Sequence, residues 1–191
     1  MLATRRYASG NIRLAASQPE VKTKDQRQNT KDAGGGGRVF SGMPSTWSQI
    51  ILHVVFCTKA REPWIDEPLA TRLYPFIGGI VRQEGGTLWE IGGVNDHVHV
   101  LMRVGTEMSI ADLMREIKAR SSKWIHETFS DKRDFAWQPG YGVFSVSKSQ
   151  SEVVKLYIRN QAEHHRAQDF SAELRVLLSK HGVEFDDRYV D

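Results

Sequence analysis

The chain has 191 residues, 40% hydrophobic and 26% charged, with one cysteine and a formal net charge of +3. That length suits one domain with a buried core. A single Cys57 excludes an intramolecular disulfide and fits a reducing compartment, and no apolar run nears the roughly 20 residues of a membrane span.

The charge is unevenly placed. Residues 1–42 hold eight Lys or Arg against three Asp or Glu; residues 43–191 hold eighteen against twenty. The globular part is therefore mildly acidic, so a bulk basic field is not a basis for nucleic-acid binding. Any such affinity has to come from local patches and a metal.

Residues 1–42 lack periodicity, are rich in Ser, Gln, Asn, Lys and Arg, and approach their end through Gly34-Gly35-Gly36-Gly37. They read as a disordered basic leader. A start assigned too far upstream is preferred over a transit peptide, with Met43-Pro44-Ser45-Thr46 as the natural beginning of a domain spanning 43–191.

Gln49 to Lys59 alternates as a strand. Ile51, His53, Val55 and Cys57 share one face; Ile50, Leu52, Val54 and Phe56 share the other. Both are mostly apolar, which predicts a central strand. His53 is read as a core histidine in preference to a site wall. Asp66 to Gln83 reads as a helix with Asp66 as N-cap and Pro68 in its first turn. Its stripe is Leu69, Leu73, Phe76, Ile77 and Ile80. Gly78-Gly79 inside it points to close packing on the sheet.

Thr87 to Val94 and His97 to Val104 are strands joined by Asn95-Asp96. His97, His99 and Leu101 face one way; Val98, Val100 and Met102 the other. Ser109 opens the next helix in a capping-box pattern with Asp112. Ile110, Leu113, Met114, Ile117, Ser121, Trp124, Ile125 and Phe129 form its stripe. Asp131 to Gly140 is loop and Tyr141 to Ser147 a strand. Ser149 and Glu152 repeat the capping-box pattern and open a helix bearing Tyr157. A last helix runs from Ser171 to Lys180 with Leu174, Leu177 and Leu178 inward.

Strand–helix–strand occurs twice, which predicts an α+β, ferredoxin-like split βαβ fold: an antiparallel sheet backed by two helices. The Tyr157 helix is an addition. It can lie on the sheet face away from the two packing helices, where the His pair can also point.

His97 and His99, two apart on a strand, present two imidazoles together. Tyr157 and Gln161, four apart on a helix, stand one above the other. Two imidazoles, an amide oxygen and a phenol around one point can hold a divalent metal beside a tyrosine nucleophile. Each piece alone is weak: His-x-His is common on strands, Tyr157 sits among Val153, Val154, Leu156 and Ile158 like a core aromatic, and Gln161 suits a solvated surface. The histidine-triad hydrolase motif is excluded by Leu101, where its third His would stand.

With these residues the chain resembles the HUH-class single-tyrosine transposases of bacterial insertion sequences, a superfamily that includes the REP-associated transposases. The resemblance covers nearly all of residues 43–191. It rests on Val54-Val55-Phe56-Cys57-Thr58-Lys59 with Arg61-Glu62-Pro63, on Gly93-Val94-Asn95-Asp96-His97-Val98-His99, and on Gly140-Tyr141-Gly142-Val143-Phe144-Ser145-Val146-Ser147. Further matches are Tyr157-Ile158-Arg159-Asn160-Gln161-Ala162-Glu163-His164-His165 and the stretch from Gly182 to Val190. The leader 1–42 is not part of it.

The resemblance implies that His97, His99 and Gln161 ligate Mg²⁺ or Mn²⁺, which polarises the scissile phosphate. It implies that Tyr157 attacks that phosphate, forming a 5′-phosphotyrosine and releasing a 3′-OH. The implied substrate is single-stranded DNA with hairpin ends, and the implied assembly a homodimer in the bacterial cytoplasm at the nucleoid, with no membrane partner. Tyrosine's unperturbed pKa near 10 means the nucleophile needs help at neutral pH. Imidazole and amide ligands do not by themselves select Mg²⁺.

Arg115, Lys118, Arg120 and Lys123 on one helix face are candidate phosphate contacts, against the alternative of a solvated face. Trp89, Trp137 and Tyr141 are candidate stacking residues, each weighed against a place in the core. Two rival readings are a non-catalytic hairpin-binding module and a replication or mobilisation nickase. Such nickases usually carry Lys three residues after the Tyr, where this chain has Asn160.

Overall fold

A computed structural model describes residues 47–165 and 169–190. The expectations for residues 1–42 and for a start at Met43 lie outside those residues.

Four strands form one antiparallel sheet: β1 (Ile50–Cys57), β2 (Thr87–Gly93), β3 (His97–Val104) and β4 (Gly142–Ser145). Their order across the sheet is β2-β3-β1-β4. Each half of the split motif therefore contributes two strands with one strand of the other half between them, as the ferredoxin-like expectation requires. β1 and β3 are central, and nearly all their side chains are buried on both faces.

The even-numbered side chains Leu52, Val54 and Phe56 of β1, and Val98, Val100 and Met102 of β3, face one side. There they meet α1 (Glu67–Gln83) and α2 (Ile110–Thr128) in the main core. Both helices start as their sequences dictate. The Asp66 carboxylate accepts from Leu69 N at 3.0 Å, and the Ser109 hydroxyl accepts from Asp112 N at 3.1 Å. Trp137 belongs to this core: its ring lies edge-on to Phe56, and its Nε1 donates to Ser121 Oγ at 2.9 Å.

The expected reason for Gly78-Gly79 holds for one residue of the pair. A Cβ on Gly78 would come 2.9 Å from Leu88 Cδ2 on β2, whereas one on Gly79 would meet open space.

The odd-numbered face of the sheet is covered by α3 (Ser151–Arg159), the short α4 (Gln161–His164) and α5 (Phe170–Lys180). Ile158 and Tyr157 pack with Ile51 and Leu101. Phe170 and Leu177 of α5 pack with Val55 and Phe144, flanked by the partly buried Leu174 and Leu178. The helix bearing Tyr157 thus lies on the same face as the His pair.

Two local expectations are corrected. The Ser149–Glu152 capping box does not form. A 3₁₀ turn at Lys148–Gln150 leads into α3, whose N-cap is Gln150 with no side-chain cap, and Ser149 Oγ pairs with Ser147 Oγ at 2.9 Å. Nor is the helix continuous from Tyr157 to Gln161. Asn160 leaves helical geometry at φ −94°, ψ 17°, ending α3 and starting α4.

Candidate active site

The His pair is set by strand parity and register. His97 stands opposite Cys57 and His99 opposite Val55, while His53 is the diagonal neighbour of His99 across the same ladder. All three histidines are buried. Each ring of the pair is anchored at Nδ1. His97 Nδ1 lies 2.7 Å from Asp96 Oδ1, and His99 Nδ1 lies 2.9 Å from His53 Nε2. His53 is the buried histidine with a satisfied ring that its strand predicts, and it is also the group behind His99. Burial first, and the His99 ring second, lower its pKa to about 3, so it is neutral at physiological pH. A carboxylate on one Nδ1 and a neutral imidazole on the other aim both Nε2 atoms into the site, an arrangement typical of metal-binding histidines.

Asp96 is held from behind. Ala60 and Arg61 adopt left-handed backbone, with φ 53° and 57°, a conformation that costs roughly 1–2 kcal/mol per non-glycine residue. The turn they form brings Arg61 Nε to 3.5 Å from Asp96 Oδ2. The Arg61 guanidinium also donates to Ser171 Oγ at 2.7 Å and lies over the Phe170 ring. The first turn of α5 is thereby tied, through Arg61, to the Asp96 turn that leads into the His pair on β3.

Tyr157 and Gln161 reach the same point despite the break at Asn160. The Tyr157 hydroxyl and Gln161 Nε2 both donate to Glu173 Oε1, the latter at 2.9 Å. Glu173 Oε2 lies 2.9 Å from His165 Nε2, 3.3 Å from His99 Nε2 and 3.6 Å from His97 Nε2. Burial and the Glu173 carboxylate push the Tyr157 phenol above its ordinary value, which keeps it protonated. Burial would raise the Glu173 carboxyl, but the His99 ring and the Tyr157 and Gln161 donors outweigh it and hold it well below the usual carboxylate range.

Three atoms at this point are buried without a hydrogen-bond partner: His97 Nε2, His99 Nε2 and Gln161 Oε1. Buried polar atoms are nearly always satisfied, so three orphans converging from β3 and α4 fit a site that takes a cation. One ligand atom from each of His97, His99, His165 and Glu173 can be chosen so that all four lie within 4.8 Å of one another. The four residues predicted from sequence are thus brought together within one chain. Glu173, Asp96 and the contribution of His165 were not predicted. Beside the cluster, a cleft of about 550 Å³ runs between β4, α3 and α5, lined by His53, Ser147, Val154, Tyr157 and His181 among others.

The α2 cations are placed differently. α2 covers the opposite face of the sheet from the His pair. Lys118 Nζ donates to the carbonyls of Gln138, Pro139 and Gly140 and so holds the loop before β4. Arg120 pairs with Glu84, Arg115 with Asp112 and Lys123 with Glu127. Of the candidate stacking residues, Trp137 is in the core, Trp89 is partly buried beneath Lys148 and Lys155, and Tyr141 is partly exposed beside Lys118.

A family model described as "Transposase IS200 like" matches residues 46–161. The chain is 32% identical over 125 residues to the transposase for insertion sequence element IS200 of Salmonella typhimurium, covering 60% of this chain and 78% of that one. It is 23% identical over 118 residues to the ISDra2 transposase TnpA of Deinococcus radiodurans, covering 59% and 84%. Two solved structures share the fold. A candidate transposase from Deinococcus radiodurans R1 superposes with a TM-score of 0.52 at 24% identity, covering 64% of this chain and 98% of that one. A REP-associated tyrosine transposase bound to a REP hairpin superposes with a TM-score of 0.50 at 13% identity, covering 66% and 74%.

Proposed function

The chain belongs to the IS200-like transposases, and from that membership we propose that it cuts and rejoins single-stranded DNA through a covalent bond to Tyr157. The observation that carries the proposal is the convergence of the Tyr157 hydroxyl with two buried, unpartnered imidazole nitrogens and an unpartnered amide oxygen.

His97, His99 and Gln161 would hold a divalent ion, Mg²⁺ or Mn²⁺. When bound, that ion would supply charge to polarise the scissile phosphate and to favour the phenolate. Asp96 and His53 keep the two imidazoles aimed with their Nε2 atoms inward. Tyr157 Oη forms a bond to phosphorus as the P–O3′ bond breaks, which leaves a 5′-phosphotyrosine and a 3′-OH. Attack by a second 3′-OH breaks the phosphotyrosine and restores a phosphodiester, so one bond is exchanged for another at each step and no nucleotide cofactor is consumed.

The proposed substrate is single-stranded DNA with hairpin ends, in keeping with the REP hairpin held by a relative of the same fold. Arg115 and Lys123, with side chains 67% and 77% exposed, can exchange their carboxylate partners for phosphates. Lys118 and Arg120 would have to give up structural partners to do so. A homodimer is supported by the outward face of α3, where Val153 and Leu156 are 60% and 56% exposed. Among the described residues no helix is long and apolar enough to cross a membrane, and action on the proposed DNA substrate would be in the cytoplasm at the nucleoid.

The test is cleavage of single-stranded DNA carrying the sequences that flank the gene, with Mn²⁺ or Mg²⁺, resolved on a denaturing protein gel. A metal-dependent protein–DNA adduct, absent from Tyr157→Phe while hairpin binding persists, is expected. Cleavage by Tyr157→Phe would rule out the assigned nucleophile.

A further inference from the structure

Glu173 enters the site from α5, beyond the residues matched by the family model. It is 5% exposed, and no aliphatic packing role accounts for an acid there. One oxygen, Oε1, accepts from the Tyr157 hydroxyl and from Gln161 Nε2. The other, Oε2, faces the Nε2 atoms of His97, His99 and His165.

Asp96 Oδ1 can only accept, so the proton shared with His97 at 2.7 Å is on Nδ1. In the neutral ring Nε2 is then a lone pair. That lone pair is buried, has no partner, and faces a carboxylate oxygen at 3.6 Å. His99 Nε2, also without a hydrogen-bond partner, faces the same oxygen at 3.3 Å. A nitrogen lone pair aimed at an anionic oxygen in a dry site is unfavourable. A cation among them turns every one of those contacts favourable.

We infer that Glu173 is an anionic ligand of the divalent ion and, through its second oxygen, positions the Tyr157 nucleophile beside it. This rests on the proposed metal-dependent reading of the site. The inference answers a difficulty in that reading: two imidazole nitrogens do little to favour Mg²⁺ or Mn²⁺, whereas a carboxylate oxygen adds a hard, charged donor that does. It also gives the C-terminal helix a role. His165 Nε2 at 2.9 Å and the Arg61–Ser171 bond both hold α5 so that Glu173 stays aimed inward.

The experiment is Mn²⁺ titration of the full chain, read by the loss of the free-ion EPR signal and by the rise in melting temperature. Wild type, His97→Ala, Glu173→Gln and Tyr157→Phe are compared. The wild type should bind one ion and His97→Ala should lose it. Glu173→Gln should bind at least ~10-fold more weakly, within the range seen when a group organising a metal site is lost, while melting near the parent in EDTA. Tyr157→Phe, which removes only the bond to Oε1, should bind close to the parent.

If Glu173→Gln does not fold, hydrogen exchange on the wild type decides: Mn²⁺ should slow the amides of Phe170–Lys180. Should Glu173→Gln bind like the parent while His97→Ala does not, or should α5 exchange ignore the ion, the assignment of Glu173 falls and the metal site stands. If the wild type binds no ion, or His97→Ala binds as well as wild type, both fall, and Glu173 is only the acid of a buried histidine ion pair.

Discussion

Gly92 on β2 is the position at which one added carbon should disable the site without touching it. It pairs with His99 across the β2–β3 ladder, and α3 rests directly on it. A Cβ built there lies 2.6 Å from the Ile158 carbonyl oxygen and 3.2 Å from Ile158 Cγ2. Ordinary contact begins near 3.4 Å, so α3 has to lift by about 0.8 Å. The obstruction is backbone, so no rotamer change relieves it. Ile158 adjoins Tyr157, and the lift moves the phenol away from His97 and His99. Overpacking of this kind costs about 1–3 kcal/mol, which in a domain of this size lowers the melting temperature by roughly 2–12 °C. A misplacement of about 1 Å at a reacting group can cost about 10²-fold in rate. Gly92→Ala should therefore melt lower and form the DNA adduct about 10²-fold more slowly. Gly79→Ala, facing open space on α1, should stabilise by about 0.5–1 kcal/mol and leave the rate alone. Adding Ile158→Val to Gly92→Ala trims only the side chain and should not restore activity. A Gly92→Ala protein with parental melting and parental rate would refute the claim that α3 is seated on a bare backbone.

Asp96→Ala should weaken Mn²⁺ binding by about 10- to 100-fold, the usual effect of losing a partner that orients a metal-binding histidine, measured in the same titration. The Lys132 ammonium, 2.7 Å from Asp66 Oδ2, is the main cause holding the Asp66 carboxyl below its ordinary value. Its contribution is present above the unfolded value near 3.8 and fades as pH falls through the folded one. Melting curves should then show Asp66→Asn less stable than the parent at pH 7 and the gap closing toward pH 3. Lys118→Met leaves three loop carbonyls without their shared donor and should lower stability by about 1–3 kcal/mol, read by urea denaturation. If Lys118 acts instead as a phosphate contact, the variant would keep its stability and show a shallower dependence of DNA affinity on salt.

Strand parity carried most of what could be foreseen. The alternation in β1 and β3 assigns His97 and His99 to the face opposite Val98 and Val100, and the order of elements then leaves one side of the sheet for the Tyr157 helix. What escaped were contacts made by residues whose local roles looked complete. Asp96 reads as a turn residue, yet its carboxylate orients the next ring. His53 reads as core because its strand is apolar on both faces, and burial does make it neutral, but its use depends on the register that sets it diagonal to His99. The break at Asn160 has no Gly or Pro to announce it.

Glu173 was within reach. Phe170, Leu174 and Leu177 define an inward face of α5, and position 173 lies on that face by the i, i+3, i+4 rule. An acid at a core position costs several kcal/mol unless something there compensates it. The paired observation, two buried histidine nitrogens without a hydrogen-bond partner, sits some seventy residues earlier on a strand. An inward-facing acid on a terminal amphipathic helix is therefore a signal to look for the opposite imbalance elsewhere in the chain, and here the two imbalances meet within 3.6 Å.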